Sequence, residues 1–434
     1  MPKVSINPGR RDVAIAAALL LAACALAALM AVRAPLGLDY VGVTGTACDC
    51  PAASIRALAN GRLSDFFAFQ PVMGSGSLVL RAPFAALGLR LTSGSDLDLY
   101  RLGAFPCLLA AGLLAVYLFG RLRELRRPAL ACALAPALIA VNPLTTRALK
   151  FGHPEEILAA ALCIAAALAA GRRRPLLAGV LLGAALATKQ WALLAVLPVL
   201  LAAENHERAR VALGAAGAAA LLVVPMAAGD LHRFIEVNHG AGVAGAGALP
   251  TNVWFPFGRD IPLVLGPHGG ASPPRALPAS IGAISHPLIL AAGFLVALLW
   301  WRHRRHTEPA DALLLLALVF LLRCLLDPLT NSYYPLPFLM SLAAWEGLRR
   351  RGLPVLTAAA TLLLATTTSV ANSGIALAAL NRFYLVWALP FAALLALLTF
   401  RPATRIIALE GRSREEVLDG PTDPHGLHGA LDAG

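Results

Sequence analysis

Lys189 stands in the middle of an apolar run, LLAGVLLGAALATKQWALLAVLPVLLA, from Leu176 to Ala202. A cation in a membrane-length apolar segment is costly, so it marks a functional site with an anionic partner. Three other segments carry side chains suited to chemistry. The stretch NPLTTRALKFGHPEEIL (Asn142 to Leu158) places Arg147, Lys150 and His153 just ahead of a predicted helix. Backbone N–H groups and the positive dipole end at a helix N-terminus add to such donors, which makes an anion site. Glu155 and Glu156 in the first turn have two readings: complements to the dipole, or, for Glu155, a group that orients His153 or a sugar hydroxyl.

The segment CDCPAASIRALANGRLSDFF (Cys48 to Phe67) opens a short predicted helix, Pro51 to Leu58. Asp49 lies close to its N-cap and Pro51 in its first turn. Asp49 is either that cap or a carboxylate that accepts a proton from an acceptor hydroxyl. Asp39 and Asp65 are the alternatives for the same role. Asp96 and Asp98 read as caps for the next span. Cys48 and Cys50 flank Asp49; a strained disulfide, two soft-metal ligands and two thiols all remain open. A last cluster, RCLLDPLTNSYYPLP (Arg323 to Pro337), offers Asn331, Tyr333 and Tyr334 as a polar cavity wall. An i, i+4 ion pair between Arg323 and Asp327 is expected beneath it.

The elements that must position these groups are membrane helices. The chain has 434 residues, 58% of them hydrophobic and 14% charged, more apolar surface than one soluble core could hide. The expected fold is all-α and polytopic, with amphipathic helices in the first outer loop; apolar and polar residues do not alternate as in a β-barrel. The net charge of +12 resides in short arginine clusters between apolar runs. That pattern signals topology at a cytoplasmic leaflet and argues against nucleic acid as a partner. Placing all the clusters on one side gives about twelve segments: 12–32, 100–120, 129–142, 155–170, 176–188, 191–203, 210–228, 284–301, 311–326, 335–347, 354–370 and 383–399. The expected layout is a transmembrane domain over 1–400 and a polar, disordered cytoplasmic tail over 401–434.

Parity depends on Lys189. One long helix over 176–203 would move every later arginine cluster to the other side. A break at Lys189–Gln190–Trp191 keeps them together, in two halves of roughly 20 Å each, and short halves belong beside a cavity. A further span at 72–91 or 371–381 would repair the parity differently. With the break, outer loops fall at 33–99, 143–154 and 229–283.

An Asp in an early outer loop followed by SIRALANG, then QPVMG and RAP, then GHPEE and AGVLLGAALATKQW, resembles the membrane-embedded GT-C glycosyltransferases. It is most similar to family 87 and to polyprenyl-phosphate-sugar-dependent mannosyltransferases, over about residues 12–400. The resemblance implies a multi-pass inner-membrane hexosyltransferase with an extracytoplasmic active site. The donor would be a polyprenyl phosphate sugar and the acceptor a lipid or glycan. Asp49 would act as base. Lys189, Arg147 and Lys150 would bind the donor phosphate, and His153, Glu155, Gln190, Asn331, Tyr333 and Tyr334 would line the sugar and acceptor cavity. No DxD or ExD pair is present, so no cofactor is assigned and a divalent metal stays open. Two other classes fit twelve segments: a secondary transporter using Lys189 and Asp327 as coupling charges, and a non-catalytic relative of the family.

Overall fold

The computed structural model describes residues 10–41, 50–68, 74–242, 247–262, 273–303, 308, 310–350, 352–371 and 376–401. In chain order the helices begin with α1 (Arg10–Arg33), α2 (Ala52–Ala59), α3 (Leu63–Ala68), α4 (Ser75–Leu91), α5 (Asp96–Glu124) and α6 (Ala129–Ala140). They continue with α7 (Pro143–Phe151), α8 (Glu155–Ala170), α9 (Pro175–Thr188), α10 (Val196–Ala202), α11 (Arg208–Gly229) and α12 (Leu231–Gly242). The last five are α13 (Ala279–His303), α14 (Asp311–Leu326), α15 (Leu336–Arg349), α16 (Val355–Ala371) and α17 (Leu377–Phe400). Six stretches are helical, long and apolar enough to cross a membrane: Asp12–Arg33, Asp96–Glu124, Ala129–Phe151, Asn205–Gly229, Ala279–His303 and Leu377–Phe400. Helices suit that setting because they satisfy every backbone group internally. Large apolar side chains such as Leu221 (76% exposed) and Val386 (75%) point outward from them. Those faces have no aqueous explanation, and the chain is a multi-pass membrane protein.

The interior is α8, α14 and α15, buried along most of their lengths. Around it, α9 and α11 cross closely. A Cβ at Gly179 would lie 2.6 Å from the Val211 carbonyl oxygen, and one at Gly183 2.4 Å from that of Ala215. This small-xxx-small spacing lets two membrane backbones touch where lipid supplies no hydrophobic drive.

Three of the expected loops contain regular structure. Segment 33–99 holds α2, α3 and the 17-residue α4. Segment 143–154 is mostly α7, capped at its start by a reciprocal Asn142–Thr145 box with Pro143 behind it. Segment 229–283 holds α12 and a small antiparallel sheet, so the fold is not wholly α. Its strands, Gly247–Ala248, Arg259–Asp260 and Arg275–Ala276, pair with the last in the middle. The sheet region is fastened to the end of α14: Asn252 bonds the Pro328 carbonyl at 2.7 Å and Trp254 that of Leu326 at 2.6 Å.

The helix over 176–203 is broken where the lysine predicted it. α9 ends at Thr188, Lys189 is extended (φ −147, ψ 134), and a 3₁₀ turn over Gln190–Ala195 leads into α10. Described arginines of these clusters lie at the far end of the bundle. There Arg127 bonds the Leu348 carbonyl, Arg172 bonds Tyr117 at 2.8 Å and Arg349 pairs with Asp311 at 3.1 Å. The expected tail lies outside the described residues apart from Arg401.

Candidate active site

The other end of the bundle is built around the junction of α7 and α8. α7 stops at Gly152, whose φ of +97 suits glycine. The chain then turns sharply, with the His153 N–H on the Ala148 carbonyl at 2.8 Å. A second strand of backbone lies against this turn: Leu38 N–H bonds the Lys150 carbonyl at 3.0 Å and Asp39 N–H that of Phe151 at 2.9 Å. The approach is so close that a Cβ on Gly37 would fall 2.2 Å from the Gly152 Cα. Two sequence-distant segments are thereby set with Asp39 facing His153.

His153 lies between two carboxylates. Its Nε2 is 3.1 Å from Asp39 Oδ2 and its Nδ1 is 2.9 Å from Glu155 Oε1. A neutral imidazole has one N–H, so both contacts are satisfied only when one more proton resides on the ring or on a carboxyl. The ring stacks on Tyr333, with centroids 5.0 Å apart. Glu155, fully buried, also meets Lys189 Nζ at 3.0 Å and Arg81 Nη1 at 3.4 Å. Lys189 continues to Glu156 at 3.7 Å, and Arg323 reaches Glu156 at 3.6 Å. Arg323 is also sandwiched by aromatic faces, 4.1 Å from the Tyr334 centroid and 5.0 Å from that of Trp191. Arg81 is fixed by a 3.1 Å bond to the Gly103 carbonyl of α5.

This network sets Arg81, Lys189 and Arg323 against Glu155, Glu156 and Asp39. Asp39 is the accessible member, its side chain 46% exposed. Among the three cations Lys189 is the least enclosed, at 11% against 0% for Arg81 and 6% for Arg323. The arrangement can accept a proton at Asp39, and Lys189 is its most exposed cation.

Several sequence expectations need correction. Arg323 pairs with Glu156, not Asp327, which caps the following turn through the Leu329 N–H at 2.9 Å. The two glutamates do more than complement a dipole: they are the buried anions of the cluster. Glu155 orients His153, as one reading held, but at 0% exposure it cannot touch a sugar. Arg147 is half-buried and Lys150 exposed on α7, and neither forms an ion pair among the described residues. Asp65 pairs with Arg62 at 3.0 Å on α3, apart from the cluster. Gln190 bonds Asn238 of α12 at 2.9 Å, while the Asn331 carbonyl accepts the Tyr334 N–H in the turn before α15. α2 begins at Ala52 with Pro51 at its N-cap, and Asp49 and Cys48 lie outside the described residues. Cys50 is disulfide-bonded. Asp96 pairs with Arg56 at 2.7 Å, and the cap of α5 is Ser95. Among the described residues no group of three His, Cys, Asp or Glu side chains is placed to hold a metal ion.

Arg81 is the cluster member that the sequence reading passed over. Its signal was available, since a lone cation in LVLRAPFAALG poses the same question as Lys189.

A membrane-helix bundle with a sealed charge cluster and one accessible carboxylate defines a class of membrane protein with a polar site at one end. Within it, the sequence model of glycosyltransferase family 87 matches residues 76–328, more than half of the chain, and the chain belongs to that family. Arg81, His153, Glu155, Glu156, Lys189 and Arg323 all fall inside the matched stretch. Solved structures with similarity include the oligosaccharyltransferase AglB from Archaeoglobus fulgidus, in complex with an inhibitory peptide and a dolichol-phosphate. It is 13% identical with a TM-score of 0.38, over 95% of this chain and 61% of that one. ArnT from Cupriavidus metallidurans bound to undecaprenyl phosphate is 15% identical with a TM-score of 0.45, over 88% of this chain and 77% of that one. The chain thus spans about three-fifths of the length of the archaeal enzyme. No curated protein matches it.

Proposed function

We propose that this chain is an inner-membrane hexosyltransferase of the GT-C kind. It takes a sugar from a polyprenyl phosphate and passes it, with inversion, to a hydroxyl of a lipid or glycan on the extracytoplasmic side. Mannose is the first sugar to test. The observation that carries the reading is the buried charge cluster around Lys189, within the stretch that the family model matches. A single displacement forms the bond from the acceptor oxygen to the anomeric carbon and breaks the bond from that carbon to the phosphate oxygen. The hydroxyl proton goes to a carboxylate, and the polyprenyl phosphate leaves with added negative charge. Preorganised cations in a dry site act most strongly where charge develops. Lys189 is the residue we set against that phosphate, with Arg147 and Lys150 as outer contacts.

Two carboxylates compete for the base. Asp49 is favoured by the family resemblance and Asp39 by its place on His153. The test is transfer of radiolabelled sugar from a polyprenyl phosphate donor in reconstituted vesicles. Loss of a general base costs about 10²–10⁴-fold in rate. We expect that loss for Asp49→Asn, and a smaller one for Asp39→Asn. The reverse order moves the base to Asp39, and no transfer by the wild-type protein from any such donor rejects the reading. Lys189→Ala should raise the donor KM, and an unchanged KM removes Lys189 from the phosphate site.

A further inference from the structure

The arginine end of the bundle has its own recess. A hollow of about 380 Å³ lies between α5, α8 and α9, walled by Leu113, Leu168, Leu177 and Leu181, with Tyr117, Arg172 and Arg174 at its mouth. A shallow open depression beside it shares Arg174 and Leu177 and adds Arg210 from α11. Along α8 the hollow reaches from Arg172 to Ala161, roughly 16 Å at the rise of an α-helix. That is the depth of one leaflet of a ~30 Å hydrocarbon core.

Charge tells what occupies the mouth. Arg172 spends one N–H on the Tyr117 hydroxyl and Arg173 is paired with Glu204 at 2.6 Å. Arg174 and Arg210 have no ion pair among the described residues, and no carboxylate lines the hollow or the depression. Basic pockets between membrane helices suit anionic head groups. We propose that the hollow between α5, α8 and α9 holds an acyl chain of one anionic phospholipid. Its phosphate lies over Arg174, between Arg172 and Arg210, and the chain runs down the α8 wall. A hollow one leaflet deep fits an acyl chain and is too short for a polyprenyl chain. The site is the length of α8 away from Glu155, so the lipid occupies the leaflet opposite the charge cluster. It lies against α9, which crosses α11 at Gly179 and Gly183.

The full chain, purified in detergent, should be titrated with phosphatidylglycerol, phosphatidylcholine or undecaprenyl phosphate and read by native mass spectrometry. Phosphatidylglycerol should be retained about tenfold more strongly than phosphatidylcholine, on the scale of a few basic contacts. The Arg172→Gln, Arg174→Gln, Arg210→Gln variant should lose that preference. Leu177→Trp, which fills the hollow, should weaken retention of both phospholipids. Arg123→Gln with Arg126→Gln, at a neighbouring cluster, should keep the preference. Equal retention of the two phospholipids by the wild-type protein overturns the proposal without any variant. So does displacement of phosphatidylglycerol by equimolar undecaprenyl phosphate, or equal loss of preference in the control variant.

Discussion

Two ion pairs at opposite ends of α8 run against intuition. Arg173 and Glu204 meet at 2.6 Å beside the arginine clusters, with side chains 74% and 41% exposed. Arg81 and Glu155 meet at 3.4 Å in the charge cluster, both fully enclosed. The shorter contact is the weaker one. Water and salt screen an exposed pair, and ordering two long side chains offsets most of what remains. A buried pair has already lost its hydration, so each partner depends on the other. The arginine end is a set of separate, more exposed pairs. At the site end the charges are interlocked, and no member can be removed alone.

Deleting the centre of that interlock tests the contrast hardest. Glu155→Ala strands Arg81, Lys189 and His153 together, and breaking a buried pair costs about 3–5 kcal/mol. Equilibrium unfolding in mixed micelles should show a loss of that size. Lys189→Met should cost nearly as much, because it leaves two buried carboxylates facing each other's charge. Combining Glu155→Ala with Lys189→Met should cost less than the sum, with a coupling of about 0.5–3 kcal/mol. Strictly additive losses would mean that the cluster is a collection of independent contacts, and the contrast between the ends would fail.

Gly152→Ala probes the scaffold beneath the cluster. A side chain at φ +97 is strained, and this one would also press on the Tyr40 N at 3.1 Å. Strain of this kind costs about 1–3 kcal/mol. The same change pushes His153 out of line with Asp39, so transfer should fall along with stability. A variant that unfolds early yet transfers normally would show that the Asp39–His153 contact is not part of the working site.

How much of this was legible in the sequence depends on the range of each contact. Lys189 and the helix break beside it follow from local facts: a cation in an apolar run, and arginine clusters that must stay on one side. The donor-rich turn at His153 was legible for the same reason. Arg81 carries the same signal as Lys189, but it lies within 33–99, which the arginine parity makes an outer loop, where a cation is unremarkable. The partner of Arg323 was sought one helical turn away at Asp327, because sequence spacing shows only neighbours on one helix. Its actual partner, Glu156, arrives from α8 through packing of the bundle. Asp39 has no local mark; a backbone pairing with residues 150–151 brings it to His153.

The smallest expected effect completes the comparison. Glu204→Gln removes the carboxylate from the 2.6 Å pair and leaves Arg173 in water. Exposed pairs contribute about 0–1 kcal/mol, so unfolding should shift by no more than that, and the shift should vanish in ~1 M salt, where the screening length is about 3 Å. The Glu155→Ala deficit should persist in the same salt, since ions do not enter the sealed cluster. If Glu204→Gln instead cost several kcal/mol, contact distance and not burial would rank the ion pairs of this protein. Arg81–Glu155, the longer contact, would then rank below Arg173–Glu204.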